Sequence, residues 1–270
     1  MDYFEMRRAL LDKHLRRIAD AVNAPKPLAA PLQKSITSQG KRVRGILTMA
    51  VAEALGRRPE RVLDAAAAME MIHTSSLILD DLPAMDDATM RRGAPALHRE
   101  FGEDLAILAA VALLNHAYGL VAANQRAVKP RRWSAEEIVQ RVVDAVGWDG
   151  TIAGESVDLH SGESNLDFDT LEFIHSRKTG ALFVAAAAVG GMLANADAAT
   201  LRRIEIYAKN LGLAFQITDD ILDVTADAAQ LGKDVGKDAQ RLTFVKLAGV
   251  DGARKLTSEL VETSLSALTP

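Results

Sequence analysis

The chain has 270 residues, a formal net charge of −4 and a pI near 5.9, and it is 49% hydrophobic but only 4% aromatic. That length covers one large domain or two ordinary ones, and the acidic balance argues against a nucleic-acid-binding protein, which presents a basic face. Cysteine is absent, which excludes disulfides, thiolate zinc sites and cysteine nucleophiles and fits a reducing compartment such as the cytoplasm.

The first residues, Met1-Asp2-Tyr3-Phe4-Glu5-Met6, lack the apolar run of a signal peptide. No run of about 18 uncharged apolar residues is read, so no transmembrane segment is expected. The six histidines include no HExxH pair, which leaves a zinc hydrolase without footing. Residues 3–22 repeat apolar side chains at helical spacing, with Phe4, Leu11, Leu15, Ile18 and Val22 on one side. Asn23-Ala24-Pro25-Lys26-Pro27 breaks that helix, because proline cannot continue one. A short second helix runs to Gln39-Gly40, and Lys41-Arg42-Val43-Arg44 opens a third. Lys41 and Arg44, three apart, share a face. Beside the free N–H groups of a helix start they suit a phosphate; the plain alternative is a solvated basic cap.

Gly56-Arg57-Arg58-Pro59 is a stop, and 60–81 is a strongly apolar helix that ends in Asp80-Asp81-Leu82-Pro83-Ala84-Met85-Asp86-Asp87. Four carboxylates within eight residues disfavour one another's ionisation. Alone they read equally as an acidic loop or as a Mg²⁺ site, carboxylate oxygen being what that ion prefers. His73, Leu77 and Asp80 fall on one face at i, i+4 and i+7. A histidine so placed is either packed core or part of a cavity wall, and the acidic end of its face favours the cavity. Arg91-Arg92-Gly93 follows, fit for surface ion pairs or for clamping phosphates with guanidinium forks.

Residues 103–122 form a further apolar helix, and Lys129-Pro130-Arg131-Arg132 a loop. Ser134 and Glu137 read as a capping box, opening a helix that includes Gly147, Gly150 and Gly154. Residues 161–170 are expected as loop and 171–194 as one apolar helix, in which Arg177-Lys178-Thr179-Gly180 wants an anionic partner. Gly190-Gly191 through Asp197 is expected as a turn, with Asp197 an N-cap. The helix at 198–223 presents Gln216, Asp219, Asp220 and Asp223 at three- and four-residue spacing. Leu231-Gly232-Lys233-Asp234-Val235-Gly236-Lys237-Asp238 is a charged loop, and 241–248 and 251–267 are the last helical pieces. No β-hairpin signal is read. The expected fold is all-α: one domain over 1–270, about ten helices, arranged around a central cavity. Two acidic clusters, each ending an apolar helix, can then face each other and hold Mg²⁺ that in turn holds a diphosphate.

Together these pieces closely resemble the trans-isoprenyl diphosphate synthases, the polyprenyl synthetase family. The resemblance runs from about Gly40 to Leu247. It rests on GKRVR at 40–44, MIHTSSLILDDLPAMDD at 71–87, RRG at 91–93, HREFGE at 98–103, RKTG at 177–180, FQITDDILD at 215–223 and LGK at 231–233. AILAAVALL at 106–114 makes the bacterial-type geranylgeranyl diphosphate synthases the nearest group.

The resemblance implies that Asp80, Asp81 and Asp86 bind Mg²⁺ and, through it, the allylic diphosphate, with Asp219 and Asp223 serving from the opposite wall. Three Mg²⁺ ions are implied with substrate bound. Lys41, Arg44, His73 and Arg92 are implied to hold isopentenyl diphosphate, Arg91, Lys178 and Lys233 the allylic diphosphate, and Arg241 to complete the substrate site. The Thr179 hydroxyl and Gln216 amide face the developing carbocation, and Ser75 and Ser76 help floor the tunnel. Being small, those serines favour a geranylgeranyl product over a farnesyl one. A homodimer is implied. The chain departs from the family's pattern at Arg241, where lysine is usual, at Glu155, where glutamine is usual, at Gly45, where proline is common, and in ending at Pro270. The rivals are a class I terpene cyclase, disfavoured by the second DDxxD; a non-catalytic partner subunit, disfavoured because both aspartate motifs are whole; and a di-iron carboxylate bundle, disfavoured because Glu-x-x-His pairs are missing.

Overall fold

The computed structural model describes residues 2–160, 167–225 and 243–269. Among these, twelve α-helical segments account for nearly all the regular structure. Helix α1 (Tyr3–Asp20) starts at Asp2, whose side chain accepts from Glu5 N at 2.8 Å. It buries Leu11, Leu15 and Ala19, while Phe4 at its start is exposed. Helix α2 (Lys26–Thr37) begins at the proline pair, and α3 (Val43–Ala54) begins after Arg42, which takes a left-handed backbone conformation.

Helix α4 (Leu63–Asp80) lies at the centre. Its Ala65–Ala68 run is fully buried, and alanine lets several helices approach at once at little cost in side-chain entropy. Helices α3, α1 and, after the short α5 (Leu97–Phe101), the long α6 (Glu103–Val128) pack around it. Helix α7 (Ala135–Val146) is opened by the expected capping box: Ser134 Oγ accepts from Glu137 N at 3.1 Å, and Glu137 Oε2 accepts from Ser134 N at 2.8 Å. After α8 (Thr151–His160) come α9 (Phe168–His175), a π-helical turn Ser176–Gly180, and α10 (Ala181–Leu193). Helix α11 (Ala198–Thr225) follows, with Asp197 capping it through Thr200 N at 2.8 Å. The last helix, α12 (Phe244–Leu268), is broken at Gly249, where φ is +70°. Its two halves are the two pieces expected from sequence.

Several expectations need correction. Residues 90–95 form a short antiparallel ribbon, β1 (Met90–Arg91) with β2 (Ala94–Pro95). Its two turn residues, Arg92 and Gly93, both have positive φ (55° and 75°), the geometry of a two-residue hairpin turn. Arginine at the first of them hid the signal. Gly190 and Gly191 do not make a turn; they lie within α10. A Cβ at Gly190 would sit 2.4 Å from the Thr48 carbonyl oxygen, so this glycine permits α3 and α10 to touch backbone to backbone. The helix expected over 134–154 is two helices, divided at Gly147–Gly150. That expected over 171–194 is likewise α9, the π-turn and α10.

Two helical stretches, Pro59–Asp80 and Glu103–Val128, are long and apolar enough to cross a membrane by length and composition alone. In the first, 67% of the most apolar window is buried inside the protein, against 33% in the second. Residues 105–125 of the second stretch carry no formal charge, which corrects the expectation that no such run is present.

Candidate active site

A cavity of about 950 Å³ opens between α3, α4, α8, the π-turn and α11. Its walls divide by charge. On α4, His73, Ser76, Leu77 and Asp80 line it, as expected of one helical face. Pro83 ends the helix, and the chain then turns on itself, with Asp86 N donating to the Asp80 carbonyl at 2.9 Å. This turn separates the four carboxylates. Asp80 lines the cavity, whereas Asp81 is 2% exposed and faces the hairpin, where Arg91 Nε donates to its Oδ1 at 2.9 Å. Asp86 is also off the lining, although its charge reaches Asp80. The expected trio Asp80, Asp81, Asp86 is thus one cavity-lining carboxylate and two beside it.

Burial first, then the charge of Glu155, pushes the Asp80 carboxyl up to about 7. The Arg91–Asp81 pair is an anchored contact, unlike a surface ion pair. Burial opposes the charged Arg91, but Asp81, Asp80 and Asp86 together hold its pKa above the ordinary value.

On the opposite wall, α11 points Gln216, Asp219 and Asp223 into the cavity. Asp220, between them, is buried and turned inward. It accepts from Gln216 Nε2 at 3.0 Å and from Phe244 N at 3.3 Å. Thr179 Oγ1 in turn donates to Gln216 Oε1 at 3.0 Å.

The third wall is basic. Lys41, Arg44, His73 and Arg92 line it. Lys41 is the exposed member, with Nζ 4.0 Å from Asp219 Oδ1. Arg44 is 7% exposed, stacks 4.9 Å over Phe183, and its buried Nε has no hydrogen-bond partner. Burial, assisted by Arg92, draws its pKa down to about 10, partly offset by Glu70 and Asp219. Arg92 donates to Ser38 Oγ at 3.1 Å. Burial and the charges of Arg44, Arg92, Arg91 and Arg42 hold His73 well below the usual histidine value, so it is neutral near pH 7. A buried guanidinium with an unpartnered donor, beside a second arginine, is a place for an anion.

The anionic partner that sequence wanted for Lys178 is on the neighbouring helix. Lys178 Nζ lies 2.6 Å from Asp158 Oδ2 and 2.7 Å from Glu155 Oε2. Gly154 makes this possible, because a Cβ there would fall 2.3 Å from Lys178 N. Sequence had marked Glu155 only as a departure and had missed Asp158. Their three-residue spacing beside a helical glycine was the available signal.

The two serines part company. Ser76 lines the cavity; Ser75 is buried against α6, donating to the Ala110 carbonyl at 2.8 Å. Ser75 thus faces α6 and Ser76 the cavity, because adjacent helical residues point about 100° apart. Lys233 and Arg241 lie outside the described residues.

Residues 25–262 match the family model described as polyprenyl synthetase. The chain belongs to the polyprenyl synthetase family. It is 41% identical over 263 residues to geranylgeranyl pyrophosphate synthase 11, chloroplastic, of Arabidopsis thaliana, covering 92% of this chain and 73% of that one. It is 39% identical over 272 residues to the dimethylallyltranstransferase of Fischerella ambigua, covering 100% and 78%. Among solved structures, the geranyltransferase of Helicobacter pylori complexed with magnesium and isoprenyl diphosphate superposes with a TM-score of 0.83 at 26% identity, covering 100% and 93%.

The donor chemistry of this polyprenyl synthetase fits Mg²⁺. Asp80, Asp219 and Asp223 offer only oxygen, and burial with the charge of Glu155 disfavours the ionised form of Asp80 more than Lys178 and Arg91 favour it. Among the described residues no group of three or more His, Cys, Asp or Glu side chains gathers on one metal point. That suits an ion bound by one or two carboxylates and completed by phosphate oxygens.

Proposed function

We propose that this chain, a prenyltransferase of its family, condenses isopentenyl diphosphate with an allylic diphosphate (dimethylallyl, geranyl or farnesyl) and releases geranylgeranyl diphosphate. One observation carries the reading. A single cavity sets a buried arginine, whose Nε has no hydrogen-bond partner, and its basic neighbours against carboxylates on two other helices. Two diphosphates, one bound by cationic side chains and one through metal, are what such a cavity accommodates. The names of the relatives support the product.

Lys41, Arg44, His73 and Arg92 hold the diphosphate of isopentenyl diphosphate. Lys178 and Arg91, with Lys233 and Arg241, serve the allylic diphosphate. When bound, Mg²⁺ on Asp80, Asp219 and Asp223, with Asp86 adjacent, supplies Lewis-acid stabilisation of the leaving diphosphate; three ions is the number implied. Asp81 acts through Arg91, which it orients. The Thr179 hydroxyl and Gln216 carbonyl place two oxygen dipoles where positive charge develops on the allylic carbon. Leu77, Leu182 and Phe215 exclude water from that carbon. Ser76 leaves room for a growing chain.

The reading includes one domain, a cytoplasmic location and a homodimer. Ile107, Leu108 and Val111 leave an apolar stripe exposed on α6, which a second copy would cover. The test is to supply purified protein with radiolabelled isopentenyl diphosphate, Mg²⁺ and each allylic primer in turn, and to measure product chain length. Extension to geranylgeranyl diphosphate is expected. Consumption of geranylgeranyl diphosphate without isopentenyl diphosphate would instead identify a cyclase.

A further inference from the structure

Lys178 has more counter-charge than it needs. Asp158, at 2.6 Å, is sufficient to anchor its ammonium, yet Glu155 stands at 2.7 Å on the same nitrogen. All three side chains are mostly buried. The second oxygen of Glu155, Oε1, is buried and has no hydrogen-bond partner. A carboxylate kept only to brace a lysine would not leave a buried oxygen orphaned, since such an atom is costly. Glutamine would reach the ammonium through its carbonyl oxygen without adding charge. Glu155 also lines the cavity, and its charge is felt at Asp80. Among the described residues, the wall that is to receive an allylic diphosphate therefore carries Asp80, Glu155 and Asp158 against Lys178, while the nearby Arg91 is already paired with Asp81.

We propose that Glu155 makes binding of the allylic diphosphate conditional on a divalent cation, by cancelling the positive charge with which Lys178 would otherwise attract the diphosphate unaided. This rests on the diphosphate reading of the site. Without the cation a dianionic or trianionic headgroup meets a wall on which, among the described residues, the carboxylates of Asp80, Asp81, Glu155 and Asp158 outnumber the cations of Lys178 and Arg91. With it, the same carboxylates become an asset. Glu155 is a positioning residue: it acts through Lys178 and through the field of the wall, and contacts no reacting atom.

The experiment is calorimetric titration of geranyl thiolodiphosphate, an allylic analogue that does not ionise readily, into protein saturated with isopentenyl diphosphate. It is run in EDTA and in Mg²⁺. Wild type is expected to bind at least tenfold more weakly in EDTA than in Mg²⁺. Glu155→Gln is expected to recover most of that loss in EDTA, while Glu155→Asp, which keeps the charge, stays with wild type. Binding of the Gln variant in Mg²⁺ reports that it is folded. No gain in EDTA for Glu155→Gln, an equal gain for Glu155→Asp, or wild-type binding indifferent to Mg²⁺ would each overturn the inference while leaving the enzyme reading intact. Failure of wild type to bind the analogue even in Mg²⁺ would overturn the enzyme reading itself.

Discussion

Gln216 Nε2 donates to Asp220 Oδ1 at 3.0 Å, one turn along α11, and that bond decides which end of the amide meets Thr179. Asp220 sits in the second acidic motif but faces the protein, where it also receives the Phe244 N–H at the start of α12. The first motif repeats the arrangement, with Asp81 turned to Arg91. In each DD pair the first aspartate lines the cavity and the second holds neighbouring structure.

Asp220→Asn should therefore damage both structure and turnover. An amide has only one acceptor oxygen, so one of the two donors, Gln216 Nε2 or Phe244 N, is left facing an NH₂. An unsatisfied buried donor costs about 1–3 kcal/mol, and urea unfolding should register that loss. Where the NH₂ faces Gln216, the Gln216 amide is free to flip, and kcat should then fall more than the KM for either substrate rises. Unchanged kcat would mean the amide's orientation is irrelevant to the reaction.

Asp80→Ala and Asp219→Ala each remove a cavity-lining carboxylate from opposite walls. Loss of electrostatic stabilisation at this level lowers turnover by about 10²–10³-fold or more. Steady-state assays in saturating Mg²⁺ measure it, and near-normal activity in either variant would contradict the metal assignment.

The pH dependence of stability isolates Asp80. In EDTA its carboxyl is held up to about 7, from an ordinary 3.8. The folded state thus keeps a proton that the unfolded chain releases, and stability falls as pH rises from about 4 to about 7. His73 and His175 act in the opposite sense, His175 being drawn down to about 4, chiefly by burial, and its contribution is lost as pH falls below the ordinary histidine value of 6.5. Both are common to wild type and Asp80→Asn, so the difference between the two proteins removes them. The Asn variant should gain stability over wild type as pH rises, reaching the order of a few kcal/mol at pH about 8. A difference that does not vary with pH would show that Asp80 bears no such burden.

Chain length should respond at Ser76 and differently at Ser75. Ser76→Phe places a ring in the cavity and should shorten the product in the radiolabelled assay. Ser75→Phe forces the ring against Ala110 on α6, where overpacking costs about 1–3 kcal/mol, so its main effect should be a lower Tm. Shortening by Phe at 75 and none at 76 would reverse the assignment.

Val111→Glu should break the proposed homodimer. A charge placed in the apolar stripe of Ile107, Leu108 and Val111 is buried unpaired if two copies meet there. Sedimentation velocity is expected to show a dimer for the wild type and a monomer for the variant. An unchanged dimer would move the interface elsewhere.

Much of this protein is local, and local features were legible. Helical periodicity marked α1, α4 and α11. Ser134 with Glu137 and Asp197 marked helix starts, because a cap is satisfied within three residues of itself. The i, i+4, i+7 rule placed His73, Leu77 and Asp80 on one face because a helix has a fixed pitch. The hairpin at Arg92-Gly93 escaped because an arginine in a left-handed conformation has no sequence signature. The glycines at 154 and 190 were visible, but their purpose depends on a backbone that comes from another helix.

The order of residues by itself determined an all-α chain with two acidic clusters and a basic helix start, since these depend on composition, period and spacing along one stretch of chain, and its motifs carried the resemblance to the family. Tertiary structure alone decided which carboxylate of each pair meets the cavity, that Ser75 belongs to a helix contact, and that Lys178 answers to Asp158 and Glu155. Those outcomes are set by distances between segments remote in sequence, and side-chain direction there follows from how helices pack.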